Sequence, residues 1–347
     1  MNIDKKRFGT FDGMDISLYT LKNDTGMEVS IMNYGATITS VLLPDGENGK
    51  INIVCGFDHF EQYFSPDFLN NAPFFGATIG RYCATIQNAQ YNDVTLSANA
   101  AGVHSLHGGI KGFDKKVWGV SVHPIQENEC SVRFMLFSPD GDQGFPGNVL
   151  ASVVIALNND NELSFSYEAE TDARTPLSMT SHAYYNLSGF SENVEGHHVQ
   201  VNSTKVFPLN AVRSVAEDTR DVTGTIEDTR QGRIVKEVHE ALHDGFEHFY
   251  LFDKGLTAEP EKVAEITCPA YHRQVEISTT EAGMLFYTAK YTSDALCRNE
   301  NERYGKYCAF CCESHRTPNG PNLPDAQHVF TDPDEKFTSK TIFKFTF

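Results

Sequence analysis

The chain has 347 residues, 40% of them hydrophobic and 21% charged, which supplies apolar material for a sizeable core and lies far from the composition of a disordered chain. Its formal net charge of -18 repels phosphate backbones and anionic lipid, which argues against nucleic acid and membrane surfaces as partners and for a neutral or cationic small molecule.

From the N-terminus, Met1 to Arg7 lack the apolar run of an export signal, and no unbroken apolar stretch reaches bilayer-spanning length, so a cytoplasmic location is expected. The eight cysteines are then expected as free thiols, and the Asn-x-Ser/Thr triplets at Asn23, Asn186 and Asn202 as chance matches. Pro44-Asp-Gly is a turn signal. In Phe75-Gly-Ala-Thr-Ile-Gly-Arg-Tyr-Cys-Ala-Thr-Ile86, the spacing Gly76-x-x-x-Gly80-Arg81 matches neither a Walker loop nor a Rossmann turn, and no helix follows to supply free N–H groups. The stretch reads as a strand whose glycines permit close backbone approach, with Arg81 a structural group pairing with a carboxylate or with backbone carbonyls.

Val132-Arg-Phe-Met-Leu-Phe and Val153-Val-Ile-Ala-Leu read as deeply buried strands, separated by the turn signals Pro139-Asp-Gly and Phe145-Pro-Gly-Asn. Asp140-Gly-Asp142-Gln-Gly144 opens like a calcium loop, but Ala151 stands where the bidentate glutamate belongs, so it too is a turn. Leu163-Ser-Phe-Ser-Tyr-Glu-Ala and Ile342-Phe-Lys-Phe-Thr-Phe alternate at period two, as half-buried strands do. Helical spacing is confined to Ile234 to His243, with Gly245 just beyond as the stop. That segment holds His239-Glu-Ala-Leu-His243, a match to the zinc-peptidase pattern H-E-x-x-H. The helix ends at once in Asp244-Gly245 and the metzincin continuation is missing, so a solvated helix end is expected instead of a zinc site. Cys308-Ala-Phe-Cys311-Cys312 lacks a second pair at zinc-finger spacing and reads as buried strand cysteines. The sum is an all-β fold, one large antiparallel domain over residues 1–347, a β-sandwich in preference to a closed barrel.

Four short segments carry the polar residues suited to chemistry: Ser105-Leu-His107-Gly-Gly, Thr180-Ser-His182-Ala-Tyr184, Gly245-Phe-Glu247-His248 and Phe310-Cys-Cys-Glu313. Two histidines and a glutamate suffice for acid–base catalysis without a cofactor. Taken one at a time, each of these residues reads as structural before it reads as catalytic, since the chain has 13 histidines and most of any protein's histidines satisfy local hydrogen bonds.

Together with Asn33-Tyr-Gly-Ala-Thr-Ile, Phe75 to Arg81, Ser105 to Lys115, Ser138 to Gly147, Thr175 to Leu187 and Cys311-Cys-Glu313, in that order, the chain resembles the galactose mutarotases, or aldose 1-epimerases, over nearly its whole length. The resemblance implies a galactose mutarotase-like supersandwich with the sugar in an open cleft. It implies α/β anomer interconversion of a free aldohexose such as galactose or glucose, with no metal and no cofactor, in a monomer or homodimer. The alternative is a non-catalytic or substrate-shifted carbohydrate-binding member of the same fold. Carried over residue by residue, Glu313 is the base at the C1 hydroxyl, His182 the acid at the ring oxygen and His107 a second donor to that oxygen, while Tyr184 and Glu247 join the histidines in binding the sugar. The chain departs from the family where Ala84-Thr85 replaces an Asn-Arg pair, where Glu247 replaces an aspartate and where Leu285 replaces a glutamine common in the family. Loss of the arginine implies a grip on the usual hexose about ten- to hundredfold weaker, so that either another side chain replaces it or the preferred sugar differs.

Overall fold

Alternation along the strand Glu162–Thr171 sends Leu163, Phe165, Tyr167 and Ala169 into the core, and Phe337–Thr346 does the same with Phe337, Phe343 and Phe345. In the computed structural model, which describes residues 1–46, 49–209, 218–300, 302–324 and 327–347, these two strands lie side by side at the middle of a nine-stranded sheet. Its order is Gly119–Val122, Glu129–Ser138, Val149–Asn158, Glu162–Thr171, Phe337–Thr346, Arg273–Thr279, Glu261–Cys268, His198–Val201 and Arg233–Ile234, antiparallel throughout.

Two five-stranded antiparallel sheets complete the architecture. One is the N-terminal meander Asn2–Phe11, Met14–Lys22, Glu28–Met32, Thr37–Asp45 and Gly49–Asn52. The other runs Arg220–Asp221, Lys205–Phe207, Glu247–Leu251, Gly283–Tyr287, Cys311–Ser314. One hydrophobic core joins all three, with Phe165 and Phe343 from the large sheet, Val29 and Val41 from the N-terminal sheet, and Tyr250, Phe286 and Cys312 from the third. Burial of these faces against one another is the main stabilising term and makes the fold a sandwich. Among the described residues no helix is long and apolar enough to cross a membrane.

Three local expectations need correction. Glu129–Ser138 is not buried on both faces: Met135 and Phe137 point outward, Phe137 to 61% exposure. The helix spans Val235–Leu242, but its left-handed cap is His243, at φ 56°, two residues before the glycine. A second short helix, Pro66–Asn71, begins where the Ser65 hydroxyl accepts from the Phe68 N–H and Pro66 takes the first helical position, a legible start signal that apolar periodicity overlooks.

The glycine-punctuated stretch supplies two short strands, Thr78–Ile79 and Thr85–Ile86. Gly76, at φ +67°, sits where a Cβ would lie 2.0 Å from the Ile38 carbonyl oxygen, so only glycine allows that approach. Arg81 is buried and makes no contact with the cavity described below. Its Nε donates to Ser138 Oγ at 2.9 Å, and its two terminal nitrogens donate to the carbonyls of Ser138, Pro139, Phe145 and Pro146. Arg81 therefore ties down both ends of the loop between two strands of the large sheet, as its structural reading expects.

Candidate active site

Register on the third sheet decides which residues meet. Glu247 pairs with Tyr287, and Leu285 with Glu313. Since Met284, Phe286 and Cys312 face the core, Leu285, Tyr287 and Glu313 face the other way and line a cavity of about 130 Å³. Glu313 is fully buried at its floor.

His182 arrives from a separate segment. Its N–H donates to the Ala77 carbonyl at 2.9 Å and its carbonyl accepts from the Gly76 N–H at 3.0 Å, while Tyr185 and Phe310 exchange backbone hydrogen bonds three residues on either side of the facing pair. This brings His182 Nε2 to 3.6 Å from Glu313 Oε1. The ring is clamped between Tyr184, parallel at 5.0 Å, and Phe74, near-parallel at 5.9 Å. His107 follows the strand Ser105–Leu106, which pairs with Thr85–Ile86, and its ring stands edge-on to His182 at 5.3 Å. The Ala84 N–H donates to His107 Nδ1 at 3.2 Å, which assigns the ring proton to Nε2.

All five residues expected at the site, His107, His182, Tyr184, Glu247 and Glu313, line the one cavity. Ala84, Thr85 and Leu285 line it as well, so the three departures lie at the site itself. Among the described residues no lysine or arginine lines the cavity. Glu247 is held at its edge, accepting from Tyr291 Oη at 2.9 Å and pairing with Lys290 Nζ at 2.9 Å. Phe74, Tyr287 and His315 are lining residues that the sequence reading passed over; the signal for His315 is its place two residues after Glu313, just beyond the strand Cys311–Ser314.

Burial dominates the electrostatics. It pushes the Glu313 carboxyl up to about 8, with the Glu247 carboxylate adding to the effect. It pulls His182 down to about 3, opposed by a backbone hydrogen bond and reinforced by His315 nearby. Near neutral pH these shifts leave one proton between the pair, on the carboxyl, with the imidazole neutral.

The candidate ligand atoms of His107, His182 and Glu313 lie within 4.8 Å of one another, a spacing that would suit a metal ion. His107 fits that role poorly, because its Nδ1 lone pair takes the Ala84 N–H and its Nε2 carries the proton. The H-E-x-x-H segment fits worse. His239 is buried, contrary to the solvated helix end expected, with Nδ1 at 3.2 Å from Glu195 and Nε2 at 2.9 Å from Thr288 Oγ1, while His243 is the exposed cap. All eight cysteines are free thiols; Cys308, Cys311 and Cys312 are buried.

The sequence profile of the family described as aldose 1-epimerase matches residues 17–344. The chain is 34% identical to an aldose 1-epimerase of Escherichia coli, with 96% of each chain covered. It is 31% identical to a galactose mutarotase of Bos taurus, covering 95% of this chain and 94% of that one. In fold it is similar to the crystal structure of a galactose 1-epimerase from Lactobacillus acidophilus, with a TM-score of 0.83 at 24% identity and 99% and 98% coverage.

Proposed function

The chain belongs to the aldose 1-epimerase family, and on that premise we propose that it is a cofactor-independent isomerase that interconverts the α and β anomers of a free aldose. The observation that carries the reading is the convergence of Glu313, His182 and His107, all buried and from three distant segments, on one cavity. Inversion at C1 requires removal of the C1 hydroxyl proton while the ring oxygen gains one, so that the ring opens to an aldehyde. Rotation about C1–C2 presents the other carbonyl face, and closure reverses both transfers.

The proton count of the Glu313–His182 pair suits this cycle. A glutamate base paired with an imidazolium acid becomes, on ring opening, a neutral glutamic acid and a neutral imidazole. The directions in which burial shifts Glu313 and His182 favour that second state, the one from which the ring recloses. Neither state changes the net charge of the pair, so a low-dielectric cavity can stabilise both without importing a counter-ion. His107, with its proton on Nε2, is suited to donate to the ring oxygen as negative charge develops there. Tyr184 fixes the plane of His182, and Glu247, anchored by Lys290 and Tyr291, is suited to accept from sugar hydroxyls.

Residues 1–347 are taken to act as one unit, a cytoplasmic monomer or homodimer with a monosaccharide as its partner. Polarimetry or NMR on freshly dissolved α-galactose, α-glucose and a panel of other aldoses tests the activity. Acceleration of anomer equilibration for at least one sugar is the expected outcome, and no acceleration for any of them refutes it.

A further inference from the structure

His315 lies two residues beyond Glu313, and alternation turns both side chains to the cavity face of the sheet. Its Nδ1 is 2.6 Å from the Arg316 carbonyl oxygen. A carbonyl can only accept, so the ring proton sits on Nδ1 and Nε2 keeps its lone pair. That Nε2 is buried and has no hydrogen-bond partner among the described residues. The ring is fixed in place by Phe249, 4.9 Å away between ring centres, and by a hydrogen bond from the His315 backbone N–H to the Gly283 carbonyl at 3.3 Å. Burial also lowers its pKa to about 4, so the lone pair persists at neutral pH. One other cavity atom shares this condition: Glu313 Oε1 is buried and likewise lacks a hydrogen bond. Buried polar atoms are almost always paired, so two orphaned polar atoms two residues apart, both lining one cavity, call for partners supplied by a ligand.

We infer that His315 is a specificity-determining residue: its Nε2 accepts a hydrogen bond from one hydroxyl of the bound aldose, a hydroxyl other than the C1 group that Glu313 deprotonates. The inference rests on the aldose reading above and narrows it. The substrate is an uncharged aldose with a free hydroxyl at the carbon facing His315, and a sugar that is deoxygenated or O-methylated there is rejected. A phosphorylated or carboxylated sugar is disfavoured as well, because no lysine or arginine lines the cavity among the described residues.

The test combines a panel of monodeoxy aldoses with wild type, His315→Leu and His315→Gln, reading anomer equilibration by NMR and sugar binding separately by titration. Wild type is expected to discriminate against one deoxy position through His315 by about ten- to hundredfold in kcat/KM. His315→Leu should raise KM for the parent sugar by a similar factor, keep kcat within about threefold, and lose the discrimination at that one position alone. His315→Gln, whose amide oxygen can accept, should restore most of it. Unchanged KM and an unchanged deoxy pattern in folded His315→Leu overturns the inference, as does a fall in kcat alone. Should the leucine variant not fold, wild type and His315→Gln decide, and equal tolerance of every deoxy position by wild type overturns it. Binding with deoxy discrimination but no accelerated equilibration would refute the epimerase reading and leave His315 in its role; no sugar binding at all would remove both.

Discussion

The floor of the cavity and its wall treat polarity in opposite ways. On the floor, Glu313, His182 and His107 are buried, closely spaced and held by rings and backbone. Along the wall, Ala84, Thr85 and Leu285 offer no charge, and the charged edge is reduced to Glu247 with its Lys290 and Tyr291 partners. Proton transfer needs a fixed geometry and a shifted acidity, which only dry, well-packed surroundings provide. Sugar recognition is spread over many hydroxyls, so one contact can be lost or moved while the chemistry is kept.

Glu313→Gln probes the floor most severely. It should lower kcat by about 10²- to 10⁴-fold while sugar binding persists, and His182→Ala should act in the same direction. Stopped polarimetry and an NMR binding titration read the two quantities apart; a variant with wild-type kcat would remove Glu313 from the chemistry.

The same substitution sharpens the floor's electrostatics. Burial raises the folded-state pKa of Glu313 from 4.5 to about 8, so the folded protein retains a proton that the unfolded chain releases across that window. Its contribution to stability is thus complete below pH 4.5 and is lost as pH rises to 8, by up to about 5 kcal/mol. Glu313→Gln should unfold at higher denaturant than wild type at pH 8.5 and show little such gain at pH 4. The rate of wild type should fall about tenfold per pH unit above 8, as the Glu313–His182 pair loses its one proton.

Arg81→Met tests whether the arginine near the wall belongs to the scaffold. Stripping the carbonyls of Ser138, Pro139, Phe145 and Pro146 of their donor should cost about 3 kcal/mol in denaturant unfolding, with kcat of the folded enzyme nearly unchanged. A large change in KM without loss of stability would return Arg81 to the site.

Leu285→Gln should have the smallest effect. Restoring an amide to the wall opposite Glu313 in register is expected to lower KM for galactose about three- to tenfold, with kcat little altered. An increased KM would mean that the apolar wall is matched to a different sugar.

Legibility in the sequence followed the range of the forces involved. Period-two runs such as Leu163 to Ala169 announced their strands because alternation is local, and one solvent-facing sheet surface is enough to write it. Val132 to Phe137 misled because Met135 and Phe137 are apolar yet exposed, so composition simulated two-sided burial. The site residues were named through family motifs, since no local pattern tells His107 from His239 when both are buried with polar partners.

By itself the amino-acid sequence determined the strand-rich class, the turns, the candidate acid–base groups and the positions where the cavity wall departs from the family's motifs, all of them properties of residue type and near neighbours. Tertiary structure alone decided what those groups are worth. Register set Glu313 against Leu285 and buried it on the cavity face, where desolvation raises its pKa to about 8 while lowering that of His182 to about 3. It also turned His315, an unremarked residue in the chain, into an acceptor without a donor. Acidity and unmet hydrogen bonds depend on what surrounds an atom in space, and that is assembled from segments far apart in the chain, His107 and Glu313 among them.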